Sequence, residues 1–202
     1  MDNEELHYQP ETGITKTNEV KHNLAFIKIV ISWIVAITIA IGLQQFVFQS
    51  YQVFGASMEP TLSQGDYLII SKVGVSLSDL RNNEYIPARG SIVVVNGNNN
   101  RLIKRVMGLP DDTINISGGK VTIYNNSNPT GFDPYKELGL PDVYVSGELN
   151  VVIPEGEVFL IGDNREDGHS LDSRNQLGSV KAEDIIGSLV LRLWPASDMQ
   201  AF

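Results

Sequence analysis

The chain has 202 residues, carries a net charge of −9 at pH 7 and contains no cysteine. That length is enough for one ordinary domain with a real hydrophobic core. The acidic balance argues against nucleic acid as a partner, since phosphate contacts need a basic face. Without cysteine, disulfides, thiolate metal sites and a cysteine nucleophile are excluded.

The first predicted element is a membrane anchor over residues 24–48. Residues 29–43 carry no charge, and the only strongly polar side chains in the stretch are Lys28, Gln44 and Gln45. A helix needs about 20 mostly apolar residues to cross a bilayer, so the stretch suffices, with Lys28 reaching the surface at one end. A cleaved secretory signal would have a shorter apolar core and small residues at its cut site. The long core therefore favours an uncleaved anchor.

Basic residues predict the orientation of this anchor. No Lys or Arg occurs in residues 29–71. Three lysines precede or open the span: Lys16, Lys21 and Lys28. The positive-inside rule therefore places residues 1–23 in the cytoplasm and residues 49–202 outside the cell membrane. The polar 1–23 tail lacks apolar periodicity and is predicted to be disordered.

Residues 49–202 are predicted to form a mostly β, antiparallel-sheet domain. Short runs rich in β-branched residues alternate with Gly, Asn, Asp and Pro, and no long amphipathic helix is evident. The predicted strands are residues 67–70, 91–95, 102–107, 121–124, 158–161 and 185–194.

Residues 113–156 are predicted to be a small inserted subdomain. From residue 125 to residue 156 the sequence contains Asn-Asn-Ser-Asn-Pro, Gly-Phe-Asp-Pro and several single glycines. A loop of that length is unusual inside a compact domain, so the stretch is interpreted as an insertion.

Two residues of the outer domain could form a nucleophile and its base. Ser57 lies just beyond the anchor, and Lys104 lies within an apolar strand. A serine hydroxyl needs an adjacent base, and a lysine can serve only when burial lowers its pKa. Alternate strand residues share a face, so Leu102 and Val106 flank Lys104. Arg105 then points to the other face, where it could meet an acidic partner.

Both residues also have a non-catalytic interpretation. Lys104 could be a charge that protects an edge strand, and Ser57 could belong to an ordinary turn before a strand. Two neighbours of Ser57 favour the catalytic interpretation. Gly55 permits a close backbone approach, and Pro60 stiffens the segment.

Histidine offers an alternative base. Of the three histidines, His7 and His22 precede the span. Only His169 could therefore act with Ser57 in a serine–histidine–aspartate triad. Its acidic partner could be one of two residues, Asp163 or Asp172. The Glu-Asp-Gly-His setting of His169 is more typical of a solvated loop.

The segment that begins at Asp163 superficially resembles a calcium loop. Arg165 occupies a position where a ligand is required, so the sequence does not predict a calcium site. No other spacing typical of metal ligands is present. We therefore predict neither a metal nor a cofactor.

Five blocks in order resemble those of the bacterial type I signal peptidases, which are membrane-bound leader peptidases. The blocks are the span, Ser-Met-Glu-Pro-Thr-Leu from residue 57, Gly-Asp-Tyr from 65, Lys-Arg-Val-Met-Gly from 104, and Gly-Asp-Asn-Arg through Ser-Leu-Asp-Ser-Arg over 162–174. One block alone would be weak support. Their order and joint presence make the resemblance specific.

The resemblance implies a Ser/Lys dyad with Ser57 as nucleophile and Lys104 as general base. Ser170 would hydrogen-bond to Lys104 and orient it, while the Ser57 N–H would donate to the oxyanion. Some members of the family carry a second oxyanion donor, a serine, where this chain has Gly55. Residues 166–169 lengthen the last block, so Ser173 is the alternative partner for Lys104.

The resemblance also implies a charged support around the dyad. Asp172 and Arg174 would brace the region of the dyad. Arg105 would form an ion pair with Asp163. The family fold is mostly β, with a variable insertion between the lysine block and the last block. Residues 113–156 lie at that place in the sequence.

The function implied is that of a single-pass serine endopeptidase of the cell membrane. It would remove signal peptides from exported pre-proteins, cutting after small residues in an Ala-x-Ala-like pattern, with pre-proteins and the lipid bilayer as partners. Ser57 follows residue 48 by about nine residues, a reach of at most roughly 30 Å. A soluble self-cleaving repressor would use similar chemistry but has no anchor. The other alternative is an anchored, non-catalytic β-domain that binds a partner.

Overall fold

The computed structural model describes residues 13–97, 100–165, 168–175 and 177–202, with side chains from residue 24 onward. The chain divides into two compact units, residues 1–43 and 44–202. The first part of the predicted tail, with His7, lies outside the described residues. So do Glu166 and Asp167 of the lengthened last block.

Helix α1 runs from Gly13 to Phe46. Its segment Leu24–Phe46 is long and apolar enough to cross a membrane, and none of its most apolar window is buried by protein. The prediction of a disordered tail is wrong for residues 13–23, because helix formation is cooperative and the apolar helix extends backward through them. At the other end the helix stops at Phe46 rather than continuing to residue 48.

The second unit is built from short antiparallel strands. In the described part of the chain the strands are β1 (Phe48–Gln52), β2 (Tyr67–Ser71), β3 (Ile92–Asn96), β4 (Arg101–Gly108), β5 (Thr113–Ser117), β6 (Lys120–Asn125), β7 (Asn128–Phe132), β8 (Leu149–Val152), β9 (Glu157–Ile161), β10 (Val180–Lys181), β11 (Ile185–Trp194) and β12 (Gln200–Ala201). Two α-helices accompany them, α2 (Val73–Leu80) and α3 (Pro134–Glu137).

The strands form two sheets. The larger sheet has the order β1-β2-β11-β3-β4-β9-β10, with β12 paired to β11. The smaller sheet has the order β7-β6-β5-β8 and occupies the stretch for which an inserted subdomain is predicted. Every strand pairing is antiparallel, so the prediction of a mostly β, antiparallel domain is confirmed.

The larger sheet is buried on both faces over its central strands. One apolar cluster contains Val94 of β3 together with Met58 and Leu62 from the segment after β1. The other contains Val93 of β3 and Val106 of β4. This two-sided burial explains the almost continuous apolar character of β3, Ile-Val-Val-Val, which an exposed sheet face would not require.

Asp112 connects the two sheets through a buried set of hydrogen bonds. Its carboxylate accepts from the Leu109 N–H at 2.6 Å and from Asn125 Nδ2 at 3.0 Å, and it pairs with Arg89 at 2.8 Å. Arg89 also donates to the carbonyl of Met107. Asp112 is 2% exposed, so water cannot readily replace its carboxylate as the acceptor for the Leu109 N–H, Asn125 and Arg89.

We expect Asp112→Asn to lower the free energy of unfolding by about 2–3 kcal/mol, because the amide turns one acceptor oxygen into a donor that faces buried donors. The matched control is Asp111→Asn at the adjacent exposed position, for which we expect a change below about 0.5 kcal/mol. Denaturant titration of the full chain in detergent measures both. Equal effects at the two positions would contradict the bridging role of Asp112.

Candidate active site

Ser57 and Lys104 are brought into direct contact. Lys104 Nζ donates to Ser57 Oγ at 2.8 Å and to the carbonyl oxygen of Ile103 at 2.9 Å. Lys104 is 2% exposed and is among the largest fully buried side chains of the described chain. When the amine is neutral, the same contact allows the Ser57 hydroxyl to donate its proton to Lys104.

The position of Lys104 follows from the order of the strands. Strand β4 lies between β3 and β9, and Lys104 is the register partner of Val93. The alternative that Lys104 protects a sheet edge is therefore wrong, since its strand is an interior one. Val93 and Val106 belong to an apolar cluster that excludes water from this side of the sheet.

Ser57 is held by the residues that follow it. Met58 and Leu62 are buried in the apolar cluster beneath β2 and β3, and the Leu62 N–H donates to the Met58 carbonyl at 2.9 Å. Gly55 has a φ of +88°, a conformation that favours glycine, so the turn into the serine depends on it.

Burial lowers the pKa of Lys104 from its ordinary 10.5 to about 8. The negative charge of Asp172 acts in the opposite direction, the positive charge of Arg174 adds to the lowering, and Asp163 opposes it. Desolvation dominates because the ammonium form loses its hydration. A neutral amine is therefore accessible near physiological pH.

Ser170 is brought close to the dyad but not into the expected hydrogen bond. Its Oγ is buried and has no hydrogen-bond partner among the described residues, and the acceptors of Lys104 Nζ there are Ser57 and Ile103. The alternative partner, Ser173, instead accepts from the N–H of Leu160 at 2.9 Å. The predicted contact of Ser170 with Lys104 is thus absent from this structure.

Arg105 and Asp163 form a buried ion pair. The Arg105 guanidinium donates through Nε at 2.8 Å and through Nη2 at 2.6 Å to the two carboxylate oxygens. Burial alone would raise the pKa of Asp163, but the hydrogen bonds and charge of Arg105 outweigh it and hold that pKa below its usual range. Thr61 Oγ1 also donates to Asp163, at 2.5 Å, which links this pair to the Ser57 segment.

Asp172 and Arg174 form a second buried pair. Arg174 donates through Nε at 2.9 Å and through Nη2 at 2.8 Å, and Asp172 is fully buried. Burial would raise the pKa of Asp172, but the hydrogen bonds from Arg174 and from the Gly162 N–H keep it below the usual range. The carboxylate therefore stays ionised and fixes the backbone at Gly162.

Gly162 lies where a side chain has no room. A Cβ there would meet both Ser170 Oγ and the carbonyl oxygen of Ser57. The loop after β9 therefore passes directly beside the backbone of Ser57. On the other side, the Asn164 N–H donates to the Ser57 carbonyl at 3.0 Å and its Nδ2 donates to the Ala56 carbonyl at 3.1 Å.

The sequence did not single out several of these supporting contacts. Thr61 and Asn164 lie inside two of the blocks that resemble the family, and their membership of these blocks was the signal that could have identified them. Arg165 lies over the ring of Tyr135 at 3.9 Å and donates through Nε to the Gly162 carbonyl at 2.8 Å. Tyr135 belongs to α3 beside the smaller sheet, and nothing in its local sequence indicated this contact.

His169 is exposed, whereas the hydroxyl of Ser57 is already bonded to Lys104. The geometry therefore favours the lysine over the histidine as the base. Among the described residues, no group of three or more His, Cys, Asp or Glu side chains is placed to hold a metal ion.

The residues that line a groove of about 710 Å³ include both Ser57 and Lys104. One wall comes from β1 and the segment after it, and the other comes from the start of β4. Just over half of the lining residues are apolar or aromatic: Tyr51, Val53, Phe54, Met58, Val94, Leu102 and Ile103. Such a groove can hold an extended peptide against an activated serine, an arrangement suited to acyl transfer.

The chain matches known signal peptidases over most of its length. The model of the signal peptidase family, peptidase S26, matches residues 26–194. Signal peptidase I T of Bacillus subtilis (strain 168) is 31% identical over 175 residues, covering 83% of this chain and 84% of that protein. Signal peptidase I of Bacillus licheniformis is 32% identical over 175 residues, covering 83% and 88%.

A crystal structure of a signal peptidase I from Enterococcus faecalis V583 is also similar, with 26% identity and a TM-score of 0.39, covering 52% of this chain and 97% of that one. The match to the family model spans well over half of the chain. The chain therefore belongs to the signal peptidase family, peptidase S26, and the resemblance seen in the sequence is confirmed.

We expect Gly162→Ala to lower kcat/KM for peptide cleavage by about 100-fold or more, because the added Cβ pushes the Ser57 backbone and Ser170 apart. The matched control is Gly42→Ala, where a Cβ meets nothing within 4 Å and no activity change is expected. Initial cleavage rates of both purified variants decide the matter. Full activity in Gly162→Ala would show that this close approach is not needed.

Proposed function

We propose that the chain is a membrane-anchored serine endopeptidase that removes signal peptides from exported pre-proteins through a Ser57/Lys104 dyad. The observation that carries the proposal is the 2.8 Å contact between Lys104 Nζ and Ser57 Oγ, made by a lysine that is 2% exposed. The relatives named signal peptidase I support the substrate class. The interior position of the lysine does not favour a non-catalytic β-domain.

The proposed reaction begins with transfer of the Ser57 hydroxyl proton to the neutral amine of Lys104. Oγ attacks the scissile carbonyl carbon, and the Ser57 N–H donates to the oxyanion that forms. The Lys104 ammonium returns its proton to the leaving amine as the peptide bond breaks. Water then attacks the acyl-enzyme ester and gives a proton to Lys104, which passes it to Ser57 Oγ as the ester bond breaks and the signal peptide is released.

Gly55 has no hydroxyl to donate to the oxyanion, so we assign stabilisation of the oxyanion to the Ser57 N–H. We keep the orienting role of Ser170 as part of the proposal, because its hydroxyl is buried beside Gly162. Arg105, Asp163, Asp172 and Arg174 are proposed to hold the surrounding backbone. In this proposal the four charged residues take no direct part in the reaction, and the reacting atoms belong to Ser57 and Lys104.

The groove supports the preference for small residues at the cut site. Its walls near the dyad include Val53, Met58, Leu102 and Ile103, whose side chains restrict the space beside a bound peptide. We propose that this space admits alanine and excludes larger side chains on steric grounds, which gives the Ala-x-Ala-like pattern. Removal of methyl groups from one wall would widen the accepted set.

The orientation proposed for the chain places residues 1–23 in the cytoplasm and the catalytic domain, residues 49–202, outside. The span Leu24–Phe46 is preceded by lysines and followed by none until Lys72. The smaller sheet, within residues 113–156, is proposed to be an insertion into that domain. In this arrangement Ser57 lies a short strand away from the end of the span.

We expect Ser57→Ala and Lys104→Met to reduce cleavage of a purified pre-protein by at least about 1,000-fold, since each removes a reacting group. The control is His169→Ala, for which full activity is expected. Detergent-solubilised full-length proteins are compared by the appearance of mature product. Loss with His169→Ala alone would overturn the dyad, and retained cleavage in Ser57→Ala would overturn the proposal.

The lowered pKa of Lys104 predicts how activity depends on pH. Only the neutral amine can act as base, so kcat/KM should rise about tenfold per pH unit below a pKa of about 8 and level off above it. A peptide substrate without groups that titrate between pH 6 and 10 gives the cleanest profile. A plateau that begins near pH 6.5 would instead indicate a histidine base.

The same pKa predicts a stability signature. Between about pH 8 and 10.5 the unfolded chain holds more protons at Lys104 than the folded chain does, so the free energy of unfolding should rise with pH there. Lys104→Met should lack this contribution. Denaturant titrations of both proteins at several pH values would reveal the difference, and identical slopes would contradict the lowered pKa.

A further inference from the structure

Helix α2 exposes apolar side chains on its outer face, where a helix on the surface of a soluble protein would carry polar ones. Val73, Leu77 and Leu80 are 38%, 45% and 81% exposed, and none of the eight residues of α2 is buried. Their spacing, four and then three residues apart, places them in one stripe along the helix. A helix on a water-facing surface would normally present polar side chains there.

The opposite side of α2 faces the protein. A Cβ at Gly74 would meet the ring of Tyr85, and α2 lies against β11. On a helical projection Val75 lies roughly opposite the Val73–Leu80 stripe, and Gly74 lies about a quarter of a turn from it. The protein therefore leaves Leu80 mostly exposed and Val73 and Leu77 partly exposed, while the helix lies against β11.

Strand register places α2 beside the end of the membrane span. Phe48 of β1 is the register partner of Ser71 of β2, so the residues before Phe48 and after Ser71 lie side by side. The Lys72 N–H donates to the carbonyl of Val47 at 2.8 Å, which extends the pairing past both strands. Helix α2 begins at the next residue, Val73.

Two side chains of this region complete the connection. Lys72 Nζ donates to the Gln45 carbonyl at 2.8 Å, and Ser76 Oγ donates to the Phe46 carbonyl at 2.9 Å. These carbonyls are among those left without an intrahelical partner where α1 ends. Gln45, Phe46 and α2 belong to the same compact unit. The place where the span ends and the place where α2 begins are therefore fixed to each other.

We propose that α2 is an interfacial helix that rests in the surface of the bilayer which the chain's own span crosses. Its occupant is lipid: Val73, Leu77 and Leu80 would lie among the upper acyl chains. Lys72 and Arg81, at the two ends of α2, are suited to lipid phosphates. The proposal goes beyond the cleavage reaction and rests on Leu24–Phe46 crossing the membrane.

An interfacial α2 gives the catalytic domain a second attachment to the membrane. A span followed by one short strand would leave the domain free to rotate about a single point. A second contact beside the first restricts that rotation, so the groove would keep a constant height above the lipid. Substrates whose apolar segment lies in the bilayer would then meet the dyad at a fixed distance.

The absence of cysteine makes a direct test possible, because one introduced cysteine can carry a fluorescent label at a unique place. Full-length Leu80→Cys is compared with Asp79→Cys, an adjacent exposed position on another side of α2. Both are labelled with bimane and reconstituted in vesicles of phosphatidylethanolamine and phosphatidylglycerol. Lipids bearing a nitroxide just below the headgroup serve as quenchers for the labels on α2, and lipids bearing a nitroxide near the end of the acyl chain serve for a label in the middle of the span.

We expect the label at Leu80 to be quenched at least about twofold more strongly than the label at Asp79. Ile34→Cys, within the span, reports on the anchor itself, and cleavage of a short water-soluble peptide shows that each labelled protein is folded and active. Equal quenching at the two α2 positions, with Ile34 strongly quenched, would overturn the interfacial role while leaving the anchor and the protease intact.

Other outcomes are equally decisive. A label at Leu80 that is shielded from aqueous iodide yet not quenched by the lipid nitroxide would mean that protein covers the stripe, which also overturns the proposal. An unquenched label at Ile34 would refute the span on which it rests. Loss of peptide cleavage in Ser57→Ala, measured separately, tests the dyad and is independent of either result.

Discussion

Keeping an amine out of water is the constraint on which the rest of this site depends. Lys104 can be neutral only where burial outweighs the attraction of nearby carboxylates, and two carboxylates lie within its electrostatic reach. Each of them is matched by a guanidinium, Asp172 by Arg174 and Asp163 by Arg105. The paired charges support the surrounding backbone, and the arginines limit the negative potential that would return a proton to the lysine.

Ser57, the proposed nucleophile, is held from two directions. Its own segment is fastened to the apolar core through Met58 and Leu62, while the loop after β9 reaches its backbone through Gly162 and Asn164. The loop after β9 is distant from Ser57 in the sequence, whereas Met58 and Leu62 follow it directly. In the proposed mechanism the Ser57 hydroxyl transfers its proton over a single hydrogen bond, and small displacements would cost large factors in rate.

Local patterns in the sequence correctly predicted most of the larger sheet's strands and the buried position of Lys104. The buried β-branched runs all became strands, and the apolar neighbours of Lys104 correctly placed it in a dry strand. Strand β1 was missed because Phe48 extends the apolar run of the span, and α2 was missed because it is only eight residues long and contains Gly74 and two valines, which are weak helix formers. Of the smaller sheet, β6 was predicted over residues 121–124, whereas β5, β7 and β8 are short, each contains an Asn, and they were missed. The contact expected between Ser170 and Lys104 is absent because side-chain packing between distant segments, which no local pattern encodes, decides where the Ser170 hydroxyl lies.

The smaller sheet leaves and rejoins the larger one at a single place. Strands β4 and β9, which flank it in sequence, are paired neighbours in the larger sheet, and Thr113 pairs with Val152 where the smaller sheet begins and ends. The Asp111 N–H donates to the Ile153 carbonyl at 3.0 Å, which closes the junction. Loops on the side of the smaller sheet away from this junction can therefore lengthen or shorten during evolution at a small entropic cost. Such changes would not alter the spacing between Lys104 and Ser57.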